Sequence, residues 1–314
     1  MTEAAAARLL TPEVLAGLAN LEIVARTAVE GFLVGLHRSP HFGFSQEFAE
    51  FRAYNEGDDP RFVDWNVYAR TERTYIRRYE GETNTRLMVL LDASASMGYQ
   101  SAQGSAQRST QGSTQRSAKV SKLQYGKYLA AALAYLASRQ HDPVGLIVFD
   151  EAIRHYRPPS GRSGSLHGVL HALDSATPGG KTDLEGCFLK FREHLSRRGL
   201  VAIISDLYCD PLAMAKAVQP LAYTGHDMVF FHVLDPGELQ PNWRDSVLFE
   251  DMESGQTLEV SPDYLEGTYR KKLEEHLAGV RRAAASVGAD LVLARTDEPL
   301  DNALRRYLMF RERH

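Results

Sequence analysis

Three oxygen-bearing side chains follow one apolar segment at two-residue spacing. Asp92, Ser94 and Ser96 come directly after the apolar run Arg86 to Leu91. In an extended backbone alternate side chains point the same way, so these three oxygens would converge on one side. A carboxylate and two hydroxyls are ligands that hard divalent cations prefer. The spacing indicates a cation site, although a D-x-S-x-S string alone arises by chance in roughly one chain of this length in ten.

Two later segments supply further oxygen ligands. Thr182 lies in a Gly-rich loop that enters a predicted helix, and Asp206 comes directly after the apolar run Leu200 to Ser205. Parallel strands end at the same edge of a sheet, which is where open α/β folds bind ligands. The predicted metal ligands are therefore Asp92, Ser94, Ser96, Thr182 and Asp206. Because the set contains no His or Cys, Mg²⁺ is the favoured ion, with Mn²⁺ or Ca²⁺ as alternatives. A competing interpretation is that these side chains only cap turns through local hydrogen bonds.

The rest of the chain supplies the elements that must position these residues. Short apolar runs predict strands at 86–91, 144–149, 152–156, 200–205, 228–234 and 290–294. Between them, helices are predicted at 122–140, 165–173, 184–195, 211–223 and 262–287, with a closing helix from Pro299. This alternation predicts an α/β fold with a doubly wound, mostly parallel sheet of the Rossmann type.

The remaining segments predict additions to that sheet. Residues 1–85 are expected to form a helix from Pro12 to about Leu36 and a mixed helical and β collar, ahead of a domain spanning 86–314. Residues from about 99 to 121 consist mainly of Ser, Gln, Gly, Thr and Arg, a composition that predicts a disordered insertion. A second insertion, from about 237 to 261, is expected to contain a β-hairpin from Val247 to Val260.

Composition restricts the classes of function. The 314 residues carry a formal net charge of −4 without a long block of like charge, so nucleic-acid binding is not indicated. No apolar run approaches the ~20 residues that a transmembrane helix needs, so no membrane span is predicted. The two cysteines lack C-x-x-C spacing, and the N-terminal segment does not resemble a secretory leader. A cytoplasmic location is therefore expected.

The five predicted ligands resemble the metal-ion-dependent adhesion site of von Willebrand factor A domains. A D-x-S-x-S motif, a later Thr in a Gly-rich loop and a later strand-terminal Asp are the elements of that site, and all five positions are filled. The resemblance covers the chain from about residue 86 to its end. It implies that the ion keeps an open coordination position, which a Glu or Asp of a protein partner can occupy. The implied function is recognition of a protein through the metal.

A second resemblance concerns the segment EFAEFRAYNEGDDPRFVDWNVYART, residues 47–71, and the RRYEGE that follows it. This sequence is similar to a segment of a bacterial family called domain of unknown function 58, in whose members the segment is joined to a von Willebrand A-like domain. Many relatives are anchored in membranes, and the chain departs from them in its lack of transmembrane segments and in its Ser/Gln insertion. Genes of this family commonly neighbour those for MoxR-type AAA+ ATPases. The resemblance implies a non-enzymatic adaptor that works with such an ATPase or its client.

Other chemistry is less well supported by the sequence. A Mg²⁺-dependent enzyme that handles phosphate groups through Asp92 is the alternative function, although the second Asp of a D-x-D motif is absent. The sequence from Ser175 to Thr182 resembles the motif of a phosphate-binding loop but lacks its first Gly. His167 and His171 have a spacing that can bind zinc, without an obvious third ligand. No nucleophilic triad is evident.

Overall fold

The computed structural model describes most of the chain. The described ranges are 20–36, 48–53, 63, 65–71, 73–79, 86–101, 120–162, 164–181, 183–195, 198–241 and 246–311. Several predictions fall wholly or partly beyond them. The predicted helix start at Pro12, most of the predicted disordered insertion and the predicted ligand Thr182 lie outside the described residues.

Helices and strands are distributed along the whole of the described chain. The strands are β1 (Phe48–Ala53), β2 (Tyr75–Tyr79), β3 (Leu87–Asp92), β4 (Val144–Phe149), β5 (Ile153–Ser160), β6 (Leu200–Ser205), β7 (Asp227–Leu234), β8 (Val247–Glu250), β9 (Thr257–Val260) and β10 (Asp290–Arg295). The helices are α1 (Leu21–Leu36), α2 (Trp65–Thr71), α3 (Lys122–Arg139), α4 (Ser165–Ser175), α5 (Leu184–His194), α6 (Pro211–Tyr223), α7 (Pro236–Leu239), α8 (Pro262–Tyr264), α9 (Arg270–Ser286) and α10 (Asp301–Arg311).

Six of these strands form the main sheet, in the order β10, β7, β6, β3, β4, β5. All neighbouring pairs are parallel except β4 and β5, which are antiparallel. The first strand of this sheet along the chain, β3, lies in its middle, and the chain winds outward from it in both directions. The strand order therefore reverses between β3 and β6, which is where ligands bind in folds of this type. The predicted doubly wound α/β fold is confirmed.

The central strands are buried on both faces. In β3, Leu87, Val89 and Leu91 belong to one hydrophobic cluster, and Met88 and Leu90 belong to the other. Helices α1, α3, α4 and α10 contribute to the first cluster, and α5, α6 and α9 contribute to the second. Burial of both faces explains why these strands appear in the sequence as continuous apolar runs rather than as alternating patterns.

Helix α3 lies unusually close to the sheet. A Cβ atom at Gly126 would come within 2.9 Å of Leu91 Cδ1 and 3.3 Å of Ile204 Cγ2. The glycine thus allows the first turns of α3 to approach the carboxyl ends of β3 and β6. This close packing brings the helix start, at Lys122, to the edge of the sheet that carries the candidate site.

The N-terminal elements divide between the core and a separate sheet. Helix α1 buries Val24, Ala28 and Phe32 in the same cluster as α3 and α10. Strands β1 and β2 form an antiparallel pair of their own. The boundary near residue 85 between collar and domain stays a prediction. Among the described helices, none has the length and apolar character required to cross a membrane.

Two elements differ in detail from their predictions. The long helix predicted for 262–287 is divided into α8, a π-helical turn at Leu265–Tyr269, and α9. Gly267 lies in the π-helical turn, and its low helix propensity removes the local preference that would favour an uninterrupted α-helix. Strand β5 extends four residues beyond the predicted end at Tyr156, through the prolines at 158 and 159, because it is an edge strand. The predicted hairpin is confirmed as the antiparallel pair β8 and β9.

Candidate functional site

The D-x-S-x-S segment forms a tight loop directly after β3. Asp92 Oδ1 accepts a hydrogen bond of 2.9 Å from the Ser94 backbone N–H, which folds the chain back at the end of the strand. Ser94 Oγ and Ser96 Oγ lie 3.1 Å apart within hydrogen-bond distance. The loop continues into a 3-10 turn, whose buried Met97 anchors it to the core. Asp92, Ser94 and Ser96 therefore lie together, as the sequence predicts.

The end of β6 lies beside this loop. Ser205 Oγ donates a 2.7 Å hydrogen bond to Asp92 Oδ2 and accepts the Leu207 N–H at 3.0 Å. Asp206 follows at the same edge and is fully buried, like Asp92. Leu207 has a left-handed backbone, with φ of 52°, a conformation that is costly for a residue with a side chain. The polar contacts of Ser205 help to hold the chain in this turn.

The Gly-rich loop is attached to the same edge. The Gly179 N–H donates to Ala93 O at 2.9 Å, and the Ala95 N–H donates to Gly180 O at 3.0 Å. After the loop, the Asp183 side chain accepts a hydrogen bond from the Gly186 N–H and thereby caps α5. The segment on which the predicted ligand Thr182 lies is thus connected to the Asp92 loop, and the role of Thr182 itself stays a prediction.

A buried lysine contacts the second aspartate. Lys122, the first residue of α3, donates from Nζ to Asp206 Oδ2 at 2.8 Å and to Glu238 Oε1 at 2.6 Å. Its ammonium also lies 4.7 Å from the centre of the Tyr208 ring. The side chains of Lys122 and Asp206 are completely buried, and that of Glu238 is 12% exposed. Burial alone would lower the pKa of Lys122, but Asp206 and Glu238 outweigh it and raise this pKa above its ordinary value.

Asp206 retains one oxygen without a partner. Among the described residues, no donor lies within hydrogen-bond distance of Asp206 Oδ1, which is buried. A buried carboxylate oxygen of this kind is costly unless a ligand, an ion or water satisfies it. The charged form of Asp92 is also disfavoured, because burial and then the charge of Asp206 raise its pKa from 3.8 to about 7. The two aspartates form an acidic cluster that one ammonium does not neutralise.

These donors fit a hard divalent cation. Carboxylate and hydroxyl oxygens are available from two strand ends and one loop, and Mg²⁺ is held by such ligands together with water. Among the described residues, no group of three or more His, Cys, Asp and Glu side chains forms a metal site. A cation here would therefore depend on hydroxyls and water as well as on Asp92 and Asp206. His167 and His171, the other metal candidates, are exposed on α4.

The same geometry gives no support to a phosphate-handling enzyme that uses Asp92. A nucleophilic carboxylate needs an oxygen that can approach its substrate. Both oxygens of Asp92 accept hydrogen bonds, from the Ser94 N–H and the Ser205 hydroxyl, and the residue is fully buried. The resemblance to a phosphate-binding loop is also weak, because the helix α4 rather than a strand precedes it.

A small cavity of about 190 Å³ opens between the Asp92 loop and the end of α4. Ala93, Gly179, Asp150 and Arg154 are among the residues that line it. Arg154 Nη2 lies 2.6 Å from Asp150 Oδ2, and the arginine side chain is 53% exposed. The cavity that borders Ala93 therefore carries a partly exposed arginine that is paired with Asp150.

Comparison with known proteins identifies the family. The family model described as "Protein of unknown function DUF58" matches residues 50–282, which is most of the chain and includes both β3 and β6. The chain belongs to the DUF58 family. Similar proteins include Rv1480 of Mycobacterium tuberculosis, an uncharacterized protein that is 27% identical over 308 residues, covering 96% of this chain and 91% of the relative. Protein MAV169 of Mycobacterium avium, also uncharacterized, is 30% identical over 139 residues, which are 44% of this chain and 81% of the relative.

The proteins of known structure that resemble this DUF58 protein have lower sequence identities to it. The conserved hypothetical protein BatB of Bacteroides thetaiotaomicron is 14% identical with a TM-score of 0.45, over 73% of this chain and all of that chain. A von Willebrand factor type A protein of Catenulispora acidiphila is 12% identical with a TM-score of 0.40, over 76% of this chain and 43% of that chain. At these TM-scores, neither likeness carries an argument about function.

Three residues of the candidate site were not among the predicted ligands. Ser205 directly precedes a predicted ligand but resembles an ordinary strand residue in the sequence. Lys122 carries a weak signal, because a cation in the first turn of a helix opposes the helix dipole and requires a compensating partner. Glu238 forms a capping box with Asp235 at the start of α7, and the D-x-x-E spacing predicts that cap but not the contact with Lys122.

Proposed function

We propose that this DUF58 protein is a non-enzymatic recognition module that binds a protein partner through a divalent cation, Mg²⁺ being the favoured ion. The observation that carries this proposal is the buried Asp206 Oδ1, which has no partner among the described residues. It belongs to the same acidic cluster as Asp92, whose pKa is raised to about 7. A cation bound between the ends of β3 and β6 would satisfy Asp206 Oδ1 and offset the negative charge of both carboxylates.

The ligands of this cation would come from three segments of the chain. Asp92, Ser94 and Ser96 supply one carboxylate and two hydroxyls from the first loop, and Asp206 supplies the second carboxylate. Thr182, the fifth predicted ligand, would complete the protein's contribution. Direct binding by two carboxylates and three neutral hydroxyls would leave one position of the octahedral Mg²⁺ shell for a further ligand. A Glu or Asp of the partner is suited to that position.

The partner class follows from the family resemblance rather than from contacts of the structure. We propose that the partner is a MoxR-type AAA+ ATPase or a client of such an ATPase, and that the DUF58 protein acts as an adaptor in protein assembly or activation. This assignment requires the cation site to be accessible at the sheet edge. The partly exposed Ser96 and the cavity beside Ala93 support that requirement.

The test removes two ligands together. Asp92→Ala combined with Ser94→Ala eliminates the carboxylate and the hydroxyl that are closest in sequence, so Mg²⁺ affinity should fall by at least about tenfold. Isothermal titration calorimetry with MgCl₂ on the full chain measures this loss. Retention of a purified MoxR-type ATPase on the immobilised chain should also fall, and EDTA should reproduce that effect on the wild-type chain.

A matched control uses the same residue types elsewhere. Asp251 and Ser254 form a hydrogen-bonded Asp–Ser pair at the exposed turn between β8 and β9. Asp251→Ala combined with Ser254→Ala should leave Mg²⁺ affinity unchanged, because neither residue belongs to the acidic cluster. If the Asp92/Ser94 variant binds both Mg²⁺ and the ATPase as the wild type does, the proposed function is wrong.

A further inference from the structure

The position of Lys122 is unfavourable for a positively charged side chain. It is the first residue of α3, where the positive end of the helix dipole disfavours a positive charge. Its ammonium is also completely withdrawn from water. A lysine in such a place persists only where its charge is strongly compensated, and two carboxylates at 2.8 and 2.6 Å provide that compensation. Lys122 is thus held beside the acidic cluster at the sheet edge.

The contact with Lys122 makes the two oxygens of Asp206 different from each other. Oδ2 accepts the hydrogen bond from Lys122, whereas Oδ1 has no partner among the described residues. Rotation of the Asp206 carboxylate is restricted by this contact, so the same oxygen remains available to a ligand. Lys122 therefore acts on the cation site without being able to coordinate a cation itself.

The same ammonium also opposes a cation at Asp206. A divalent ion bound to Oδ1 would lie a few ångströms from the charge of Lys122, and buried side chains screen such a repulsion much less than water does. Glu238 acts in the opposite sense, because its carboxylate lies against the ammonium and offsets its charge. The net charge around the cation site thus depends on a pair of residues that are not predicted ligands.

We infer that Lys122 acts on the cation site through its charge, which lies against Asp206 and keeps the affinity of the free protein for a divalent cation low. This inference rests on the proposed function. A low affinity in the free protein makes retention of the cation depend on an additional negative ligand. The carboxylate of a bound partner supplies that charge, so that cation and partner bind cooperatively. Glu238 sets how much of the ammonium's charge the cation experiences.

The test compares charge variants of the two residues. Lys122→Met keeps most of the side-chain volume and removes the charge, so Mg²⁺ should bind at least about tenfold more tightly. Glu238→Gln leaves the ammonium less compensated and should weaken Mg²⁺ binding by about threefold or more. The double variant removes one charge of each sign and should return to within about threefold of the wild type. Each full-length protein is stripped with EDTA and titrated with MgCl₂ by calorimetry at constant ionic strength.

The outcomes separate this inference from the proposed function. Tighter binding by Lys122→Met is an effect that loss of a merely structural contact would not produce. If the wild type binds Mg²⁺ but Lys122→Met binds no more tightly, the inference is wrong and the proposed function stands. If neither protein binds Mg²⁺, both are wrong. Should circular dichroism show that Lys122→Met does not fold, Glu238→Gln decides: weaker binding supports the inference, and unchanged binding overturns it.

Discussion

Replacing Gly180 by alanine should lower the free energy of unfolding by about 2–4 kcal/mol. Gly180 has a φ of 72°, a left-handed conformation that is costly for alanine. A Cβ atom there would also lie 2.7 Å from Asp150 Oδ2 and 3.0 Å from Asp150 Cγ. The Asp150 side chain cannot easily move aside, because it is buried and holds Arg154 and the Ala152 N–H. Urea unfolding monitored by circular dichroism measures the loss.

The same substitution should weaken the proposed cation site. Gly180 O accepts the Ala95 N–H, so displacement of the Gly-rich loop would disturb the segment between Ser94 and Ser96. Loss of such support around a metal site typically lowers affinity by roughly tenfold or more. Gly179→Ala is the matched control, since a Cβ atom at Gly179 meets nothing within 4 Å. That control should stay within about 0.5 kcal/mol of the wild type. Equal stability of the two variants would show that the Gly180 contacts do not constrain the loop.

The sheet was predictable because burial on both faces produces a simple sequence pattern. The runs that become β4 and β6 are apolar except for the final Ser205 of β6, and they begin and end in the structure at the predicted residues. Neither strand order nor the close approach of α3 at Gly126 is visible in such runs. Strand order depends on crossover connections between distant segments, and close approach depends on which side chains face each other across layers.

Part of the site was predictable for a similar reason. The D-x-S-x-S spacing and the strand-terminal Asp206 are local features, and the parallel sheet brings strand ends together. Lys122 and Glu238 are 116 residues apart, and their contact is formed only when α3 and α7 meet beside β6. Each residue has an adequate local explanation, as a helix start and as a cap. Because each side chain already has a local role, the sequence gives no sign that it also contacts a distant residue.

Substitution of Asp92 by asparagine should separate the stability of the site from its function. In the protein without metal, burial and Asp206 raise the pKa of Asp92 from 3.8 to about 7. The folded state therefore binds the proton more tightly than the unfolded state. The stabilisation from this proton is complete below about pH 4 and is lost as pH rises to about 7. Near pH 8 the ionised residue should cost on the order of 1–3 kcal/mol, which Asp92→Asn would recover.

Near pH 8, magnesium should offset most or all of this cost in the wild type. At a concentration of about 100 Kd, a ligand that binds only the folded state stabilises it by about 2.7 kcal/mol. Mg²⁺ should stabilise the wild type to that extent near pH 8 and leave Asp92→Asn unchanged, because the amide removes the anionic ligand. Urea unfolding in EDTA and in Mg²⁺, near pH 5 and near pH 8, measures all four differences. Asp206, Lys122 and Glu238 are common to both proteins, so the difference between them isolates Asp92.

The direction of the EDTA result tests whether Asp92 is an unsatisfied ligand or a structural acceptor. The asparagine oxygen can still accept the Ser94 N–H, so a gain in stability near pH 8 means that the carboxylate charge is unfavourable without a cation. A loss of stability under the same conditions would mean that the bonds from Ser94 and Ser205 already satisfy the charge. In that case the acidic cluster would need no metal. A protein that keeps a destabilising carboxylate at a sheet edge is instead consistent with selection for binding, because the same charge becomes favourable when a cation is present.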